Sequence, residues 1–407
     1  MSNVKVNKNN WYATTLGDIV KPGRSKVKPS AYPKLPYVGM EHVEANTMRL
    51  LGTTPANQLK SAAVHFQPND VLYGRLRPYL NKVLNPDFEG LCSSEFIAFP
   101  PNDKVNQKWL KYLLNSSEFV RFANSLNTGD RPRVDYDQLA DYPVRLPSLP
   151  EQSEIVEVIE TQFTRLDAGV AALKRAQANL KRYRAAVLKA AYFGFNDTDS
   201  LPTNWRYATI PELVGKEGVF IDGDWIESKD QDPDGDIRLI QLADIGDGVF
   251  RDRSNRFLTN KKALKLNCTF LEENDILVAR MPEPLGRACL LPKIVKRSVT
   301  AVDICIIRTA NKSFNHAWLM HIINTPQYRY NVSKLQSGVT RKRISRRNLG
   351  SIKLPVPPIS EQKTIVEEVE RQFSVMAEMG NALENNYKRT INLRNSILKT
   401  AFQLKQK

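Results

Sequence analysis

The chain of 407 residues contains no run of about 18 apolar residues, so no part of it is built to cross a bilayer as a helix. Its first ten residues, MSNVKVNKNN, are polar and lack the apolar core of a secretion signal. Cysteine is scarce. Cys92, Cys268, Cys289 and Cys305 lie far apart and form no CxxC pair. They read as buried, reduced thiols of a cytoplasmic protein, not as disulfides or a zinc site. The four histidines, His42, His65, His316 and His321, stand in no HExxH and beside no cysteine, so no metal site is expected. Negative charge is also short, with 43 Asp and Glu against 59 Lys and Arg and a net charge of +16. That balance favours a polyanion as partner, nucleic acid before an anionic membrane.

What is present is a repeat. Residues 151–193 align without gaps to 361–403, and about a third of the positions are identical. EQSEIVEVIETQF, from Glu151 to Phe163, answers EQKTIVEEVERQF, from Glu361 to Phe373. Each copy follows a Pro-rich lead, LPSLP at Leu146–Pro150 and LPVPPIS at Leu354–Ser360. Proline cannot continue a helix but suits its first turn, so each lead predicts a boundary and then a helix start. The preceding segments echo one another in the same order. Trp11 answers Trp205, Asn69-Asp70-Val71-Leu72 answers Asn274-Asp275-Ile276-Leu277, and Trp109-Leu110 answers Trp318-Leu319. Gly129 with Arg131 and Arg133 answers Gly338 with Arg341 and Arg343. The expected layout is a tandem duplication: a domain at 1–147, a long helix at 148–195, a second domain at 196–355 and a second helix at 356–407. Two copies are too few for a solenoid and suggest pseudo-two-fold symmetry.

Both helical segments carry a seven-residue apolar period. In the first it runs through Ile159, Leu166, Leu173, Leu180 and Val187, with Phe163 and Val170 on the neighbouring seam position. In the second it runs through Val369, Met376, Leu383 and Ile397, with Phe373 and Tyr387 beside it. Gln177, Arg184, Thr390 and Arg394 interrupt the seam with polar residues. This is a coiled-coil pattern. At 1.5 Å per residue, about 40 residues make a rod of roughly 60 Å, too long to pack only on its own small domain. Each helix is acidic early and basic late, which suits the helix dipole. Parallel packing would oppose like charges, so the two helices are expected to pair antiparallel.

The two globular segments read as α/β. Short β-rich runs occur at Tyr37–Val38, Val71–Tyr73, Phe96–Phe99, Arg238–Leu242, Ile276–Ala279 and Ile304–Ile307, with helices near Trp109–Asn124 and Ala317–Lys334. Basic residues gather beside turn-like stretches. In the first half these are Arg24, Lys26, Arg75, Arg77, Arg131 and Arg133; in the second, Arg280, Arg287, Arg341, Lys342, Arg343, Arg346 and Arg347. Arginine on a strand-end loop can read guanine in a groove, and other cations neutralise phosphates. These thirteen residues are the candidate DNA-binding set. Asp70 and Asp275 read as loop or capping residues.

Catalytic motifs are missing. There is no Walker A loop and no GxSxG. Asn85-Pro86-Asp87-Phe88 departs from the NPPY-type loop of amino-methyltransferases at Asp87, and Phe193-Gly194-Phe195 does not supply a cofactor loop. The chain is expected to bind no cofactor and to be no enzyme.

With both Pro-rich leads, the doubled EQxxIVxxIExxF-type helix start and the half-domain pattern in place, the sequence resembles the DNA-specificity subunit of type I restriction-modification systems over nearly its whole length. The resemblance implies two target-recognition domains, each reading half of a bipartite double-stranded target, with the helices as an antiparallel spacer that fixes the gap. It implies two docked methyltransferase subunits that carry S-adenosylmethionine and adenine-N6 chemistry. Restriction motor subunits, with ATP, magnesium and cleavage, can join them. Two other readings stay open: a stand-alone coiled-coil DNA-binding regulator, and a specificity module for a fused methyltransferase-nuclease.

Overall fold

The computed structural model describes residues 11–127, 129–193, 201–282, 284–310 and 314–402. The polar N-terminal decapeptide, Gly194 and the expected junction at 195/196 lie outside them. The chain divides into two units, 1–174 with 384–407, and 175–383. Each unit holds one α/β domain and one half of each long helix.

In the first unit, Tyr12–Thr15 pairs antiparallel with Pro143–Leu146, from Tyr12 opposite Leu146 to Thr15 opposite Pro143. The second of these strands feeds the central helix, Leu149–Phe193. Ser148 starts that helix: its N–H and hydroxyl both donate to Glu151 Oε2, at 2.9 and 2.7 Å. Pro150 sits in the first turn, where no intrahelical N–H is needed. Val71–Gly74 lies between Val83–Leu84 and Phe96–Phe99 in a three-stranded antiparallel sheet. All four of its residues are buried because both faces are covered. Alternation sends Val71 and Tyr73 into a core with Trp109 and Phe119, and Leu72 into another with Phe66 and Cys92. A five-stranded sheet runs Lys26–Val27, Ala63–Phe66, Gly90–Cys92, Pro36–Val38, Thr54–Pro55, with the third and fourth strands parallel.

The second unit repeats the plan. Arg206–Ala208 pairs with Leu354–Val356, which leads into the C-terminal helix, Ile359–Phe402. Ile276–Ala279 lies between Ile304–Arg308 and Ala288–Leu290, with Val219–Asp222 at the edge. Ile276 and Val278 join the core around Trp318, while Leu277 and Ala279 face another with Ile240 and Cys289.

The expected helix over Trp109–Asn124 is two helices, Gln107–Asn115 and Ser117–Ser125. Ser116 breaks it by turning extended and accepting the Phe119 N–H at 3.3 Å. The helix expected near Ala317–Lys334 breaks at the corresponding place, between His316–Ile323 and Pro326–Leu335. There Thr325 takes the Tyr328 N–H at 3.2 Å and Pro326 has none to give.

The Glu-Gln of each helix start has a clear use. Gln152 is fully buried; its Oε1 accepts the Asn106 N–H at 2.7 Å, and its Nε2 donates to the Pro147 and Lys104 carbonyls at 2.9 and 3.1 Å. Gln362 does the same for Asn315 N–H at 2.8 Å and the Pro357 carbonyl at 3.0 Å. Asn106 and Asn315 cap the helices bearing Trp109 and Trp318. One side chain thus locks each long helix to its own domain.

The long helices pair antiparallel. In the second unit, Leu180 lies over Gly380, Tyr183 donates to Gln372, and Arg184 reaches Phe373, so partner numbers fall as numbers rise. In the first, Arg394 meets Phe163 and Asp167, and Ile397, Leu398 and Phe402 pack into the core that holds Ile155, Ile159, Phe163 and Leu166. Val170, Leu173, Leu180, Val187, Val369, Phe373, Met376 and Leu383 are all at least half-buried while most residues between them are exposed. Tyr387, expected in the seam, departs from it: it lies on the seam stripe but is 39% exposed, and its counterpart Gln177 is exposed too.

Candidate DNA interface

In both units the strand that follows the Asn-Asp turn is followed at once by an arginine, and the backbone of that arginine holds a basic loop. Arg75 accepts the Val134 N–H on its carbonyl at 3.1 Å and donates its own N–H to Glu95 at 2.9 Å. Arg280 accepts from Ile344 at 3.1 Å and donates to Asp303 at 2.8 Å. Val134 and Ile344 are fully buried, which anchors the loops that precede them. The first loop carries Gly129, Arg131 and Arg133; the second carries Gly338, Arg341, Lys342 and Arg343. Both glycines have positive φ, 118° and 91°, the conformation each turn needs. Residues 337 and 343 exchange two backbone hydrogen bonds of 2.8 Å, which close the second loop into a hairpin.

The thirteen basic residues divide by environment. Lys26, Arg131, Arg133, Arg341, Lys342, Arg343 and Arg347 are exposed. Arg133 also pairs with Glu95. Arg75 is half-buried between Asp135, at 2.7 Å, and Glu95. Arg77 takes a left-handed backbone, φ 52°, and donates its N–H to Pro132 at 2.7 Å, joining the strand end to the loop. Arg346 donates to the Phe220 carbonyl at 3.3 Å.

Three arginines are committed to the fold. Arg24 grips the buried Asp70 with two hydrogen bonds of 2.7 Å. Arg280 donates to the Ile344 and Val302 carbonyls at 3.0 and 3.2 Å and pairs with Asp222. Arg287 is 4% exposed and donates to four carbonyls, of Ile245, Leu242, Pro284 and Met281. Positive charge is what the sequence displays; who sits opposite it is set by the fold.

Asp70 and Asp275 do close turns. Each accepts a backbone N–H three residues back, Gln67 at 3.0 Å and Glu272 at 2.8 Å, next to Asn69 and Asn274 at φ 69°. The arginine on Asp275 was not singled out from sequence. It is Arg308, at the end of the neighbouring strand, with two contacts of 2.6 Å. Among the described residues no group of His, Cys, Asp and Glu could hold a metal ion, and no helix is long and apolar enough to cross a membrane.

Residues 8–175 and 202–385 match the type I restriction modification DNA specificity domain, one copy in each half of the chain. The chain belongs to this family. It is 27% identical to the type I restriction enzyme EcoDI specificity subunit of Escherichia coli over 212 residues, 51% of this chain and 46% of that protein. It is 27% identical to the EcoBI specificity subunit of Escherichia coli over 320 residues, 74% of this chain and 66% of that one. The chain thus spans between about half and two thirds of the length of these curated relatives. Its fold is similar to that of a chain in a solved type I R-M system, with TM-score 0.77, 20% identity and 97% of both chains covered.

This specificity-domain chain also repeats a clasp that sequence reading missed. Arg394 stacks on Phe163, 3.9 Å from the ring centroid, and the edge of Tyr112 meets that ring at 5.6 Å. In the other unit Arg184 stacks on Phe373 at 3.7 Å, with His321 edge-on at 5.6 Å. Two of the four polar interruptions of the seam, Arg184 and Arg394, are therefore cation–π contacts. The edge-on residue differs between the two clasps. Tyr112 keeps its hydroxyl near Glu160, at 3.4 Å. His321 is buried, and neither ring nitrogen has a protein hydrogen-bond partner. Burial, and then the Arg184 cation, push its pKa down from 6.5 to about 4; Glu370, 4.0 Å away, does not offset them. A folded pKa below the unfolded one means that the unfolded chain binds more protons. The contribution of His321 is therefore complete above pH 6.5 and is lost as pH falls toward 4. His321→Tyr, which copies the first unit, should flatten the decline of melting temperature across that window; an unchanged profile would contradict the assignment.

Proposed function

We propose that the chain is the DNA-specificity subunit of a type I restriction-modification complex. Each α/β domain reads one half of a bipartite double-stranded DNA target, and the paired helices act as the spacer that fixes the gap. Two methyltransferase subunits dock on it and supply S-adenosylmethionine and adenine-N6 methylation; restriction motor subunits supply ATP hydrolysis, magnesium and cleavage. The chain itself selects and presents the target and performs no chemistry. The observation that carries this reading is the duplicated mount, in which the same strand-end arginine, Arg75 or Arg280, holds a basic loop over the same buried anchor, Val134 or Ile344. Two equivalent mounts bearing different loop sequences suit two different half-sites. Exposed Lys26, Arg131, Arg133, Arg341, Lys342, Arg343 and Arg347 form the DNA-facing set. Arg75, Arg77 and Arg346 support the loops, and Arg24, Arg280 and Arg287 hold the framework beneath them. Mapping methyladenine in a host that expresses the chain with its methyltransferase subunit, against the same host without the chain, tests the proposal.

A further inference from the structure

The hairpin closed by residues 337 and 343 carries an apolar residue where one has least reason to be. Val339 is 99% exposed, next to Gly338 at the tip and two positions from the run Arg341-Lys342-Arg343. Its mount is rigid: two backbone hydrogen bonds close the hairpin, and Ile344 behind it is fully buried and bonded to Arg280. A flexible surface loop gains nothing from a bare valine at its apex. A stiff basic finger does, if it enters a groove. Proteins that open or kink a duplex push an apolar side chain between base pairs while flanking cations hold the phosphates. Tyr79 in the first unit has related surroundings, an exposed ring in the turn after Arg77, but its turn is not a closed hairpin.

We propose that Val339 is a DNA wedge: the hairpin enters a groove of the half-site read by the second domain, and the isopropyl group unstacks one base step there. Arg341, Lys342 and Arg343 hold the backbone on either side. Such unstacking lowers the cost of taking a base out of the stack, which any enzyme acting on a base must meet. The inference rests on the proposed function and adds the residue and the act.

The test uses the full chain with its methyltransferase subunit and the target sequence obtained from methylation mapping. 2-Aminopurine is placed at successive steps of each half-site. Wild-type complex should raise the fluorescence at one step of the second domain's half-site. Val339→Ser should abolish that rise and weaken specific binding about tenfold, with its salt dependence kept, because valine meets no phosphate. Val339→Ile should restore the rise. Neither variant threatens folding, since the side chain is bare. A rise that persists in Val339→Ser overturns the wedge. So does a Val339→Ser chain that loses the rise only because it no longer captures the methyltransferase subunit, which would make the tip a protein contact. If no methylated motif depends on the chain at all, the proposed function fails and not the wedge alone.

Discussion

Replacing Arg341, Lys342 and Arg343 together with alanine is expected to weaken DNA binding about a hundredfold near 0.1 M salt, and to lower the slope of log affinity against log salt by roughly 2.7. The reasoning is electrostatic. All three side chains are exposed on one closed hairpin, and the hairpin is held by its backbone, so the substitutions remove charge and leave the mount. Each cation that neutralises a phosphate releases about one counterion, and three of them set the change in slope. Fluorescence anisotropy with a duplex of random sequence reads it directly. An unchanged slope would place the DNA on another face. Arg287→Met should behave in the opposite way. Its guanidinium is spent on four carbonyls, so the loss would appear in stability and not in the salt slope.

The second large effect is on folding. Asp275→Ala should destabilise the second unit by about 3 kcal/mol, because it removes the buried carboxylate that grips Arg308 and leaves that cation only the exposed Glu272 and the Phe270 carbonyl. Asp275 is 1% exposed and Arg308 18% exposed at the side chain, and two contacts of 2.6 Å join them. The Glu272 N–H, bonded to the same carboxylate at 2.8 Å, loses its acceptor as well. Asp275→Leu with Arg308→Met should recover part of the loss, since an apolar pair of similar volume avoids burying a cation that has lost its buried partner. Urea denaturation of the single and double variants measures both. A double variant no better than the single would mean that the turn, not the ion pair, carries the energy.

The period-seven seam and the shared acidic-to-basic gradient of the two helices were enough to read the helices and their antiparallel pairing. The same order of Trp, Asn-Asp and Gly landmarks was enough to read two like domains. Other features were hidden for identifiable reasons. The helix breaks at Ser116 and Thr325 were masked by continuous apolar spacing, although each is an N-cap residue with its own signature. The clasps were legible in principle. Phe163 and Arg184, like Phe373 and Arg394, stand three heptads apart, so in an antiparallel repeat each arginine meets the phenylalanine of the other copy. The sheet order was not legible, because Pro36–Val38 pairs with Gly90–Cys92 across a long stretch of chain and short strands carry little register information. The basic residues were the least legible part. Arg24 and Arg131 look alike in sequence, yet one closes on a buried carboxylate and the other faces solvent.

The proposed role, selection of a two-part DNA target for methylation by a partner, can be tested directly. The direct measurement is genome-wide mapping of methyladenine in a methylation-free host expressing the chain and its methyltransferase subunit, with each omitted in turn. One bipartite motif with a fixed gap, lost when either protein is left out, is the expected result. A single short motif, or methylation that persists without this chain, would contradict it.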